Sequence, residues 1–163
     1  MSQGDDSEPE FITPPTNIKS KVSITPDGVD LEALEKAEQV IAGLQDSYLD
    51  WVEEDLRNIQ AAYDKAVADA ANRKAYFDEI FRISHDVKGQ GGSFDYPLMT
   101  IIGNHLCRFL ESVETPKESD LQVIKLHIDS LRVVITQRMA GDGGAVGTKL
   151  VAGIEAVLTK VGK

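Results

Sequence analysis

Apolar residues recur at intervals of three and four along most of the chain, and nowhere do they alternate over the length a half-buried strand requires. At about 100° per residue, that spacing gathers them on one side of a helix. The longest run, Leu49, Val52, Leu56, Ile59, Tyr63 and Ala66, predicts a helix over Ser47–Ala70. Ahead of it, Leu31, Leu34, Ile41 and Leu44 predict a separate short helix, Leu31–Leu44, with Asp30 as its N-cap. Tyr76, Ile80, Ile83 and Val87 form the stripe of the next, Asn72–Gly91, which ends where Gly91-Gly92-Ser93 and Pro97 interrupt the pattern. Pro97 suits the first turn of a helix reaching about Val113, because the N–H it lacks has no intrahelical partner there; Leu98, Ile102, His105/Leu106, Phe109 and Val113 point inward. Thr115-Pro116-Lys117-Glu118 reads as a capping box with proline at the first helical position, opening a helix with the stripe Leu121, Ile124, Ile128, Leu131 and Ile135 that ends near Met139. After the turn Gly141-Asp142-Gly143-Gly144, a last helix over Ala145–Val161 carries Val146, Leu150, Ile154, Leu158 and Val161 on one face, weakened by Gly147 and Gly153.

Short connections between amphipathic helices imply antiparallel neighbours. The expected fold is all-α: an antiparallel up-down-up-down four-helix bundle with additional short N-terminal and C-terminal helices. Residues 1–29 hold Pro9, Pro14, Pro15 and Pro26 among acidic and hydroxyl side chains without an apolar period, so they are expected to be a flexible tail; residues 30–163 are expected to form a single helical domain.

Composition narrows the partners. The 163 residues are 42% hydrophobic, enough for one domain with a sizeable core. A formal charge of −10 opposes any sequence-independent grip on nucleic acid or on an anionic membrane. No apolar run approaches the roughly 18 residues a membrane span needs, so a cytoplasmic protein is expected. Cys107 is the only cysteine, which rules out an intrachain disulfide and any C-x-x-C site.

The helix at 72–91 carries the candidate chemistry. His85 falls about 170–180° from the centre of its apolar stripe, on the same side as Asp78, Phe81, Lys88, Gly89 and Gly92. An imidazole is a good nitrogen nucleophile, so an accessible one can take a phosphoryl group directly. Lys88, three residues on, can neutralise phosphoryl oxygens, and Arg82, three residues back and to the side, can assist. Gly89 and Gly92 each cost a helix about 1 kcal/mol against alanine, and the bare surface they leave admits a close-docking partner, with Asp78 and Phe81 beside it as further contacts. His105, on an apolar stripe, is expected to be a packed, hydrogen-bonded core residue, and His127, at a stripe edge, structural or exposed. Cys107 points away from its helix's stripe, and Trp51 is expected to be partly in the core. No Glu-x-x-His and no i, i+4 histidine pair occurs, which argues against a metal centre. Gly143-Gly144-Ala145-Val146-Gly147-Thr148-Lys149 lacks the Gly-Lys-Ser/Thr order of a phosphate loop and reads as the turn that starts the last helix.

The stretch Ser84-His85-Asp86-Val87-Lys88-Gly89-Gln90-Gly91-Gly92-Ser93-Phe94 resembles the helix motif of the histidine-containing phosphotransfer family, with an apolar residue two after the histidine, lysine three after, glycine four after and small residues beyond. The run Leu98–Glu111 is similar to the family's following helix, and the helix layout matches over roughly Leu49–Met139. The resemblance implies a helical bundle in which His85 accepts a phosphoryl group from an aspartyl phosphate on a receiver domain and passes it to another receiver. It implies Lys88 as phosphoryl neutraliser and Gly89 as clearance. It also implies as partners the receiver domains of response regulators or hybrid histidine kinases, met by a monomer with no cofactor of its own, the Mg²⁺ belonging to the receiver. The sequence departs from the family at Asp95, where a glycine is common. The competing expectation is a non-catalytic helical adaptor that binds a signalling partner through the same face.

Overall fold

The computed structural model of the protein describes residues 31–163, apart from the side chains at 31, 41, 42, 45 and 46. The expected tail, 1–29, and the expected cap Asp30 lie outside the described residues. Those described form α1 (Leu31–Ala68), α2 (Arg73–Gly91), a 3₁₀ turn (Gly92–Phe94), α3 (Pro97–Glu111), α4 (Glu118–Thr136) and α5 (Gly144–Lys160), with no strand among them. None of these helices is long and apolar enough to cross a membrane. By compactness the chain divides after Val40. Before that division, the described turns of α1 are exposed and carry an ion pair of Glu32 with Lys36 at 2.8 Å. The unit from Ile41 on holds the core.

The break expected between Leu44 and Ser47 is absent, so no separate short N-terminal helix exists: α1 runs without interruption for 38 residues. The apolar spacing passes from Leu44 to Tyr48 to Val52 without a change of phase, and Gly43 alone penalises a helix by only about 1 kcal/mol. The buried edge of α1 is Tyr48, Val52, Leu56, Ile59, Ala62 and Ala66, turned by about 30° from the expected stripe, which leaves Leu49 and Tyr63 at the margin.

Side-chain bonds make the corner between α1 and α2. Asp69 accepts from the amides of Ala71 and Asn72 at 3.1 and 3.2 Å and from Asn72 Nδ2 at 2.8 Å. Buried Arg73 donates from Nε to the Ala66 carbonyl at 3.0 Å, occupying an acceptor that the end of α1 would otherwise leave open. At the other end of α2, Asp95 takes a left-handed φ of 63°, and the Tyr96 amide donates to the Gly91 carbonyl at 2.8 Å, turning the chain into Pro97 and α3. Tyr48 of α1 closes this corner, stacked on Phe94 at 4.6 Å and tilted against Tyr96 at 5.7 Å. Trp51, expected partly in the core, is exposed: it meets Phe94 edge-on at 6.5 Å and keeps about half its surface in water.

α3 is buried on more than one side, and this corrects the expectation for Cys107. Met99, Gly103, Cys107 and Leu110 are covered as well as Leu98, Ile102, Leu106 and Phe109, and burial pushes the Cys107 thiol up to about 11. α4 buries all five residues of its expected stripe and starts at Glu118, two positions later than a proline at its first turn implies; the Asp120 carboxylate accepts the Lys117 amide at 2.7 Å. Of the two expectations for His127, structural or exposed, the first holds: the ring is wholly buried and donates from Nδ1 to the Val123 carbonyl at 2.7 Å. In α5 only Ile154 and Gly147 are buried; Leu150 and Leu158 are half covered, while Val146 and Val161, expected inward, face water. Gly143 and Gly147 explain the seating of α5. A Cβ on Gly143 would stand 2.5 Å from Leu98 Cδ1, and one on Gly147 would run into the Asp142 carbonyl, so the start of α5 fits against α3 only without side chains.

Candidate functional site

The site is the outer face of α2. Its inner face is Phe77, Ile80, Ile83, Ser84, Val87 and Gly91, and Tyr76 is only half covered, so the stripe is turned by about 40° from the expected one. The rotation leaves His85 pointing outward. Its side chain is 59% exposed, and Nδ1 lies 4.0 Å from Asp86 Oδ1.

The face has two flanks. Toward α3, the Phe81 ring stands 6.2 Å from the imidazole, tilted by 39°. Phe81 is half-buried and packed against the core beside Leu110, so it forms a wall next to His85 rather than the free apolar anchor expected of it. Lys88 lies on this flank too, half-exposed, because α3 comes close behind it: a Cβ on Gly103 would be 3.2 Å from Lys88 Cβ. Thr100 fixes the same turn, its hydroxyl donating to the Lys88 carbonyl at 2.9 Å and accepting the Gly92 amide at 3.0 Å. Toward α1, Arg82 and Asp86 are exposed and face Asp55, whose carboxyl is held above its ordinary range by partial burial and by the negative charge of Asp86, with Arg82 opposing.

The candidate residues therefore separate by function. His85, Lys88 and Phe81 come together on one flank; Arg82 sits on the other, within the field of Asp55. Asp78 is one to two turns back and paired with Lys74 at 2.7 Å, which occupies its charge. Gly89 is open, with nothing within 4 Å of an added Cβ, so the turn beyond His85 is bare. Gly92 is exposed but belongs to the 3₁₀ turn, and a Cβ there would make an ordinary 3.7 Å contact with Thr100 Oγ1. Sequence reasoning missed Asp55, Thr100 and Gly103. Gly103, a glycine amid an apolar helix, was the one visible signal, since such a residue marks close backbone approach.

No group of three or more His, Cys, Asp or Glu among the described residues could hold a metal. His105 lies apart, between α3 and α5, its Nε2 4.0 Å from Glu155 and its Nδ1 covered without a partner. It is partly covered, as expected, but not hydrogen-bonded. Comparison with known proteins returns no matching family model, curated protein or solved structure.

Proposed function

We propose that the protein is a phosphoryl carrier of a two-component relay, with His85 as the residue that is transiently phosphorylated. In this reading α1 to α4 make the antiparallel up-down-up-down bundle, α5 is the added C-terminal helix, and the protein works in the cytoplasm. The helix pairings support the bundle: Arg132 of α4 donates to Gln60 of α1 at 3.3 Å, and Tyr48 near the start of the core stretch of α1 meets Phe94 just past the end of α2. The observation that carries the reading is the exposure of His85 from the middle of a helix whose next turn, at Gly89, is bare.

The chemistry needs little else. A lone pair of the imidazole attacks the phosphorus of an aspartyl phosphate on a receiver domain, the P–N bond forms as the P–O bond to the acyl oxygen breaks, and the aspartate leaves as carboxylate with the bonding pair. Nδ1 is the ring nitrogen on the Asp86 side, 4.0 Å from that carboxylate, so in this reading Nε2 makes the attack on the negatively charged phosphoryl group. Lys88 offsets the charge on the transferred oxygens, and Phe81 limits the swing of the ring. The receiver supplies the Mg²⁺ and the acceptor aspartate, so this chain carries no cofactor of its own. Transfer onward is the same step in reverse with a second receiver.

The test is to mix the protein with a phosphorylated receiver domain and Mg²⁺ and to measure acid-labile, base-stable label on this chain. Wild type takes up label and His85→Gln does not. Equal label on the two would overturn the reading.

A further inference from the structure

On the side of α3 roughly opposite Gly103, and so turned away from α2, an open cleft of about 510 Å³ separates α3 from α5. Its volume is within the roughly 300–1,000 Å³ of small-ligand sites. In a chain of formal charge −10, this cleft gathers Arg108 and Lys163 with His105 against a single acidic side chain, Glu155. The Arg108 guanidinium makes no ion pair among the described residues. Lys163 Nζ spends one donor on the Ser112 carbonyl at 2.9 Å and keeps two.

The remaining polar groups define what fits. The Ser112 hydroxyl donates to the Phe109 carbonyl at 2.6 Å and the Thr159 hydroxyl to the Glu155 carbonyl at 2.9 Å, so both present only lone pairs to a ligand. With His105 Nε2 turned toward Glu155 at 4.0 Å, the positive charge open to an anion is that of Arg108 and Lys163. Two are enough for one carboxylate, in which Arg108 can engage both oxygens, and too few for the phosphates of a nucleotide. Phe109 and Leu158 line the rest of the cleft with apolar surface.

We propose that this cleft binds a small amphipathic carboxylate, its charge on Arg108 and Lys163 and its apolar body against Phe109 and Leu158. The site shares no residue with the His85 face and stands independently of the carrier reading.

Benzoate is the probe, titrated into the full chain and followed by NMR at Phe109 and Leu158. Inorganic phosphate and benzyl alcohol supply the charge and the ring separately. The expected result is saturable shifts at both residues with a Kd on the order of 1 mM, set by a ligand of this size. Arg108→Gln, an exposed substitution, weakens benzoate at least about tenfold, and each half-probe binds at least about tenfold more weakly than benzoate, each step being about 1.4 kcal/mol. His85→Gln binds benzoate as wild type does. Shifts that do not saturate, binding indifferent to Arg108→Gln, or either half-probe binding as well as benzoate would overturn the proposal. Because His85→Gln removes transfer and leaves this cleft untouched, failure here and failure of the carrier reading are separate results.

Discussion

His85 and His127 carry the same ring into opposite surroundings. On α2 the ring stands 59% exposed beside Asp86 and Phe81, over a turn that glycine leaves bare. On α4 the ring is fully buried; Nδ1 meets the Val123 carbonyl, Nε2 meets no partner, and burial holds its pKa below the ordinary value. One position lends itself to bond formation with another protein and the other to packing. The difference comes from the helix face and not from the residue type: a nucleophile has to be approached along its lone pair, which a buried imidazole does not permit.

The comparison breaks first at activity. His85→Gln is expected to remove phosphoryl uptake by roughly a thousandfold or more, since no other nucleophile shares its place, whereas His127→Ala leaves uptake per folded molecule unchanged. The cost at His127 is in stability instead. Losing the ring leaves a cavity in a fully buried site, while the Val123 carbonyl keeps its helical bond from the amide of residue 127, so chemical denaturation should show a loss of about 2–4 kcal/mol. Equal stability with lost uptake would reverse the two roles.

The glycines of α2 repeat the contrast at a smaller scale. A Cβ on Gly91 would lie 2.7 Å from the Tyr96 carbonyl oxygen and 2.8 Å from Met99 Cβ, so Gly91→Ala should destabilise by about 1–3 kcal/mol as the α2–α3 corner is forced apart. Gly89→Ala meets open space and should stabilise the helix by up to about 1 kcal/mol. Gly89→Arg should keep the fold, measured by thermal melting, and slow transfer from the receiver by covering the approach to His85.

A pH titration of stability sharpens the same contrast. In the unfolded chain His127 takes a proton near its ordinary 6.5, while burial in the fold delays protonation to lower pH. Below that value the unfolded state binds more protons, so stability falls as pH drops from about 6.5 toward the folded-state pKa and then levels off for this group. Comparing denaturation midpoints of wild type and His127→Ala between about pH 7.5 and 5 should show this limb in the first and not in the second.

The smallest effect concerns the end of α2. Asp95 holds φ at 63°, a conformation open to Asp but easier for glycine, and its carbonyl accepts the Gly141 amide at 2.8 Å. Asp95→Gly should change stability by no more than about 1 kcal/mol, in either direction, and leave transfer intact, whereas a β-branched residue there should destabilise.

Much of this was legible because period alone locates a face. The 3/4 spacing of Ile80, Ile83 and Val87 located the side to which His85 points, and that survived the exchange of Tyr76 for Phe77 as the inner residue because the inner face turns by only about 40°. Period does not say how many sides of a helix are covered. Cys107 was misjudged for that reason, and His127 was left between structural and exposed, each lying off the main stripe of a helix that packs on several sides. Nor does it find contacts between helices: Thr100 bonding the Lys88 carbonyl, or Asp55 acting on Arg82 and Asp86, joins residues far apart in sequence. Val146 and Val161 were placed inward by a pattern that α5, seated on α3 through Gly143 and Gly147, satisfies only in its middle.

The most direct test of the account is to locate the covalent bond. After incubation with a phosphorylated receiver, ³¹P NMR and peptide mapping of this chain should find one phosphoramidate, on Nε2 of His85. Label on another residue, on an oxygen, or on no residue at all would contradict it.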